Sequence, residues 1–393
     1  MIRILVGLVL GTVLALIWPD LPYISLLGSL FVGALKAVAP VLVFLLIVAA
    51  LSKSRAKLGS QFKYVIILYI FSTVLAALVA VIINFAFPQT VTLVSGGGLP
   101  TPPEDFEELI TNLASNLVQN PILSLTSGNY LGILFWAIIF GFLLKRYGND
   151  ATIDIAQDAS NLVTRAIRLV SEFAPIGIFG IIYESISENG MEVFTEYGML
   201  IVILVAAMLI VMFITNPLIV MAVTKRNPYP LLLKCIKTSA ITAFFTRSSA
   251  ANIPVNMKLA DEIDIDPELY SVSIPLGATI NMAGAAITIS TMTLVCANTV
   301  GQEVPILLAF VLCILSAVAA CGASGVPGGS LLLIPMACSL FGIDSNYAME
   351  MVAVGYIIGV IQDSMETALN SSSDILFTAA ADMHERPDHE FKI

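Results

Sequence analysis

The 393-residue sequence is short of charge: Asp, Glu, Lys and Arg together make up 12% of it, while 58% is hydrophobic. Soluble domains carry about 25% charged residues, so most of this chain sits in lipid rather than water. Histidine is almost missing, with only His384 and His389 near the C-terminus. The five cysteines (Cys235, Cys296, Cys313, Cys321 and Cys338) lie in apolar or small-residue runs, with no C-x-x-C pair and no neighbouring histidines. That spacing argues against a disulfide framework or a zinc site, and the thiols read as buried filler. There is no H-E-x-x-H, G-x-S-x-G or Walker sequence and no histidine in an apolar segment, which leaves an enzyme few groups for general base chemistry. No basic stripe supports nucleic-acid binding. The net charge of −10 comes from acidic residues clustered in a few loops, so it calls for no basic partner.

What the sequence does have is long apolar runs, where a membrane span needs about 20 such residues. Met1 to Trp18 carries one basic residue, Arg3, and no small-x-small cleavage site follows. Trp18-Pro19-Asp20 reads as an interfacial exit, which makes this run the first span rather than a secretory leader. Lys53, Arg55, Lys57 and Lys63 mark one cytoplasmic loop, Lys145 and Arg146 with Arg165 and Arg168 a second, and Lys225 and Arg226 a third. The stretches 88–108 and 185–196 hold Glu104, Asp105, Glu107, Glu108, Glu188, Glu192 and Glu196 without lysine or arginine, and belong outside. The first six spans are predicted at 2–18, 24–51, 64–87, 129–145, 166–186 and 196–223, starting from a cytoplasmic N-terminus. A weakly amphipathic stretch over 106–120 is expected at the outer surface.

The second half has a different grammar. From Leu259 to Glu385 there is no lysine or arginine. The apolar segments are broken at Thr246–Pro254, at Asn281–Gly284 and at Cys321–Ser330, each time by small, polar or proline residues. Backbone that leaves the helix at membrane depth must be buried in protein or line a cavity, because lipid cannot hydrogen-bond it. Two of the breaks repeat one plan: apolar limb, tip of small residues with proline, apolar limb, then a longer span. Broken segments in corresponding positions point to a transporter's site.

The last span, about 347–380, holds Glu350, Asp363, Glu366 and Asp374 with Thr367 and Asn370. At about 100° per residue, Asp363, Thr367, Asn370 and Asp374 share one narrow face, and Glu366 flanks it. A carboxylate at the bilayer centre costs ~2.5–3.5 kcal/mol even on the lenient insertion scale. Arg247, in the first tip, is the one obvious protein cation nearby, so the remaining charge is expected to be met by bound ions, a ligand's ammonium or protons. Freed carbonyls around Gly277 to Asn281, with the Asn370 amide and the Asp374 carboxylate, would form an oxygen cage for a hard monovalent cation. Helix ends in the hairpins suit the two ends of a zwitterion, and Asp363 is a natural partner for its ammonium.

At these residues the chain resembles the dicarboxylate/amino acid:cation symporter family, the glutamate-transporter-like fold. The resemblance rests on TRSSAANIPVN, SIPLGATINMAGAA, ASGVPGG and QDSMETALNSSSD, in the family's order and spacing, and covers essentially the whole chain. INMAGAAIT and DSMETALNSSSD are most similar to bacterial sodium/serine-threonine symporters. It implies an all-α polytopic protein of eight transmembrane helices and two re-entrant hairpins, working by an elevator movement. It also implies a homotrimer in a bacterial cytoplasmic membrane, both termini cytoplasmic, with co-transported sodium and no organic cofactor. The expected division is scaffold 1–63, mobile helix 64–90, scaffold 91–190, mobile helix 191–226, transport core 227–383 and tail 384–393.

Carried over by motif, Ser248, Ser249 and Asn370 would hold the substrate carboxylate, and Asp363 and Thr367 its amino group. One sodium would use Gly277, Asn281, Asn370 and Asp374; a second would use Thr279, Met282, Ala320, Cys321 and Ala323. Ala323, Ser324, Gly325, Val326, Pro327 and Gly328 would form the outer gate. Two departures from the family's pattern matter. Glu366 stands where acidic-substrate members have an arginine, and Ala285 where they have a threonine, which favours serine or threonine and repels aspartate. Arg247 is expected to pair with Glu366 or Asp363. Ala283 replaces an aspartate that ligates a further sodium together with Tyr69, Ser72 and Thr73, so fewer coupled sodium ions are expected. A proton-coupled or exchange-mode carrier, a channel and a membrane enzyme are the competing readings.

Overall fold

The computed structural model describes residues 2–19, 21–52, 60–93, 115, 117–323, 328–389 and 391–392. Lys53, Arg55, Lys57, the acids Glu104 to Glu108, most of the 106–120 stretch and gate residues Ser324, Gly325, Val326 and Pro327 lie outside the described residues. Among the described residues every regular element is helical. The first half opens with α1 (Ile2–Ile17), α2 (Ile24–Ser52) and α3 (Ser60–Ala86). A short α4 (Pro121–Ser127), capped by the Asn120 side chain, leads to α5 (Tyr130–Tyr147).

The predicted fifth span needs correction. In place of one helix over 166–186 there are two, α6 (Asp150–Glu172) and α7 (Ala174–Asn189), meeting at Phe173 with a 55° bend. Pro175 supplies the cause: it has no N–H to give and restricts the backbone of Ala174. Arg165 and Arg168, read from sequence as loop, sit on the exposed side of α6, while Ile153, Ser160 and Ile167 repeat every seventh position on its buried side. Next, α8 (Glu192–Ile210) runs through a widened π turn (Val211–Thr215) into α9 (Asn216–Thr224), an apolar rod of 33 residues.

The second half is the broken one. α10 (Tyr229–Cys235), a second π turn (Ile236–Ala240) and α11 (Ile241–Thr246) run to a tip at Arg247–Ser248, and α12 (Ser249–Glu262) leaves it. α13 (Pro267–Ile280) and α14 (Ala283–Thr299) are separated by the non-helical Asn281 and Met282. α15 (Ile306–Ala320) enters the second tip; a tight turn over Leu331–Leu333 and α16 (Ile334–Ser339) follow it. The last helix, α17 (Ser345–Glu385), is 41 residues long.

By length and composition five described segments can cross a membrane: 24–49, 62–86, 192–224, 267–299 and 345–385. The bent pair α6/α7 makes a sixth when counted as one, and 6–17 and 306–320 are shorter apolar helices. Packing follows membrane rules, with small and polar residues inside. On α3, Ser72, Thr73, Ala76, Ala77 and Ala80 are buried while Ile67, Phe71, Ile82 and Phe85 face out. On α1, Gly7 and Gly11 lie against the backbone of Pro175 and Phe179, where a Cβ would not fit. At the centre, α14 is buried from Ala283 to Ala297 and packs on α17, which also meets α11, α12 and α13.

Candidate functional site

Helix α17 carries Asp363, Glu366, Thr367, Asn370 and Asp374, all buried. The three carboxylates are met in three different ways.

Asp363 is held by both tips. Its Oδ2 accepts from Arg247 Nε at 2.6 Å, and its Oδ1 accepts from the backbone N–H of Gly328 at 3.3 Å. Arg247 ends α11 with a φ of 53°, the left-handed region that a bulky residue rarely adopts, and also donates to Gly359 O at 3.4 Å.

Glu366 is hydrogen-bonded by neutral side chains among the described residues. Its Oε2 accepts from Thr288 Oγ1 at 2.8 Å, Ser330 Oγ at 2.8 Å and Gln362 Nε2 at 2.5 Å. Gln362 donates to Thr288 as well, at 2.7 Å. Neutral donors aimed at a carboxylate form charge-assisted bonds, about twice as strong as neutral pairs.

Asp374 is the least satisfied of the three. Its Oδ1 accepts from Asn281 Nδ2 at 2.9 Å, while Asp374 Oδ2 and Asn281 Oδ1 are both buried without a hydrogen-bond partner among the described residues. Buried polar atoms rarely stay unpaired, because the desolvation cost is not returned. Two such oxygens on a hydrogen-bonded pair of side chains suit a hard, oxygen-seeking cation. Gly277 belongs to the same place: an ideal Cβ there would lie 2.7 Å from Asp374 Oδ1 and 2.9 Å from the Tyr69 hydroxyl. That hydroxyl sits 3.0 Å from Asp374 O and 2.9 Å from Thr378 Oγ1, tying α3 to α17. Among the described residues no group of three or more His, Cys, Asp or Glu could hold a metal ion. A cation here would rest on mixed oxygens.

The other predicted residues fall around this stripe. Asn370 Oδ1 accepts from Gly284 N at 2.7 Å and its Nδ2 lies 3.3 Å from Met282 Sδ, so the amide faces the break between α13 and α14. Thr367 Oγ1 donates to Asp363 O at 2.7 Å and keeps its lone pairs free to accept. Ser248 caps α12 by accepting from Ala251 N at 3.2 Å, and Ser249 is buried in the first turn. Thr279 Oγ1 donates to Leu276 O at 2.7 Å. Cys321 Sγ lies 3.6 Å from Ile280 O, which brings the end of α15, with Ala320 and Ala323, alongside the break.

Sequence reasoning missed Thr288, Ser330 and Gln362, which hold Glu366. It also missed Asn252 and Asn256. Asn252 Nδ2 donates to Ser371 Oγ at 2.7 Å and Ser239 Oγ at 2.9 Å, and Asn256 Nδ2 donates to Ser371 O at 2.9 Å. Their i,i+4 spacing, one face of a helix, was the available signal.

A sequence pattern described as the sodium:dicarboxylate symporter family matches residues 1–383. The chain is 50% identical over 383 residues to the serine/threonine transporter SstT of Bifidobacterium adolescentis, an alignment covering 98% of this chain and 89% of that protein. It is 51% identical over 381 residues to a protein of the same name from Streptococcus agalactiae, covering 97% and 94%.

Proposed function

The chain belongs to the sodium:dicarboxylate symporter family, and from that premise we propose that it imports serine, threonine and similar small neutral amino acids on the sodium gradient. It is a transporter and not an enzyme, as its family and its relatives' names indicate. The observation that carries the residue-level reading is the pair of buried, donorless oxygens, Asp374 Oδ2 and Asn281 Oδ1.

In this reading one sodium sits at Gly277, Asn281, Asn370 and Asp374, and a second at Thr279, Met282, Ala320, Cys321 and Ala323. Asp363 and Thr367 hold the substrate's amino group, while Ser248, Ser249 and Asn370 hold its carboxylate. Glu366 supplies a negative charge where a second substrate carboxylate would lie, which disfavours aspartate. Ala283 offers no charged ligand for a further sodium. Segments 64–90, 191–226 and 227–383 move as one unit against segments 1–63 and 91–190, in a homotrimer of the bacterial cytoplasmic membrane with both termini inside.

The test is uptake of labelled serine into proteoliposomes. An inward sodium gradient should drive accumulation, aspartate should not compete, and a proton gradient alone should not substitute. Accumulation that ignored sodium and followed the proton gradient would replace this reading by the proton-coupled one.

A further inference from the structure

We infer that Arg247 is a tethered stand-in for the substrate's amino group, occupying Asp363 in the empty carrier and yielding it when an ammonium arrives. The inference rests on the transport reading above and deepens it.

Three observations carry it. Arg247 Nε lies 2.6 Å from Asp363 Oδ2, the carboxylate that the site otherwise offers to a cationic ligand. The pair is unequal: the Asp363 side chain is 6% exposed and that of Arg247 15%, so the guanidinium is the partner nearer to water. The backbone of Arg247 is held at a φ of 53° at the end of α11, a conformation that costs a non-glycine residue free energy and persists only where its surroundings require it.

The consequence concerns coupling. Without both substrate and Arg247, Asp363 would be a buried carboxylate held, among the described residues, by the Gly328 N–H. A buried charge stripped of its partner is strongly disfavoured, so the empty unit could not readily cross the apolar layer. With Arg247 in place Asp363 is neutralised from within, which removes its share of the barrier to the empty carrier's return, a step that net uptake requires. Serine-for-serine exchange does not need that step, because the carrier crosses loaded both ways.

The experiment compares the two fluxes in proteoliposomes for the parent and for Arg247→Gln. Exchange is read with equal sodium and serine on both sides, and net uptake with serine-free vesicles under a sodium gradient. The ratio of net uptake to exchange should fall on the order of a hundredfold in Arg247→Gln, the size expected for stripping a partner from a buried charge. Arg247→Lys, which keeps the charge but loses the planar fork, should give an intermediate ratio and serves alone if the glutamine protein does not fold. Serine should also bind Arg247→Gln more tightly, its competitor being gone. A ratio matching the parent's in either variant, or exchange falling as far as net uptake, overturns the inference. Sodium-dependent exchange by the parent tests the transport reading separately, so the two can fail independently.

Discussion

Replacing Gly277 by alanine adds one methyl group to the tightest point of the site. The new carbon would stand 2.7 Å from Asp374 Oδ1, 2.9 Å from its Cγ and 2.9 Å from the Tyr69 hydroxyl. To regain an ordinary contact of 3.4 Å, the carboxylate must retreat by roughly 0.7 Å. Neither neighbour gives way easily: α17 is buried around Asp374, and the Tyr69 hydroxyl is engaged by Asp374 O and Thr378. Overpacking of this kind costs about 1–3 kcal/mol. It is opposed by alanine's better helix propensity, worth about 1 kcal/mol, so stability alone is a poor readout. Sodium affinity is the sharper one, because ion sites tolerate only about 0.2 Å in ligand position. The half-saturating sodium concentration for serine uptake should rise about 10- to 100-fold, the equivalent of about 1.4–2.8 kcal/mol. The assay is a sodium titration of serine uptake by reconstituted protein, with thermal midpoints measured alongside. Half-saturation within twofold of the parent would refute the placement of a cation between Gly277 and Asp374.

Other perturbations reach the surrounding contacts. Thr288→Val removes one of three donors to Glu366, and thermal unfolding in detergent should show a loss of about 0.6–2 kcal/mol; no change would mean that the bond contributes nothing. Glu366→Arg should admit aspartate as a competitor of serine uptake, and a protein that still ignored aspartate would count against the pocket assignment. At the end of α17, Arg386 pairs with the buried Asp382, a bond that holds the guanidinium pKa above its ordinary value. A raised arginine pKa gives stability that is lost only when pH climbs through that high value. Arg386→Ala should therefore cost about 1–2 kcal/mol at every pH near neutrality, less than a fully buried pair because the guanidinium is a third exposed. A loss confined to one side of neutral pH would contradict it.

Much of the architecture was legible because membrane chemistry writes it plainly. The runs that became α2, α3 and the α8–α9 rod are uninterrupted and apolar, and their bounds fall within a few residues of those expected. The stripe from Asp363 to Asp374 follows from helical periodicity alone, and on α17 these residues are buried together. The bend at Phe173 was hidden because α6 carries Asp154, Asp158, Arg165 and Arg168, which look like loop when only hydropathy is read. The donors around Glu366 were hidden for a different reason. Thr288 and Ser330 sit in small-residue segments where hydroxyls are common, and only the fold brings α14 and the second tip to one carboxylate. Counting charges alone gave no sign of the neutral hydroxyls and amide that hydrogen-bond Glu366.

The central claim is that Asp374 carries a sodium ion that the substrate's passage depends on. Its most direct test is the thermal midpoint of purified Asp374→Asn protein in rising sodium, against choline at equal ionic strength, since a ligand that binds only the folded state raises that midpoint. The parent should be stabilised by sodium and not by choline, while Asp374→Asn should fold, lose most of that sodium-dependent rise and accumulate no serine. A folded Asp374→Asn protein that kept the parent's full sodium response and serine uptake would contradict the account.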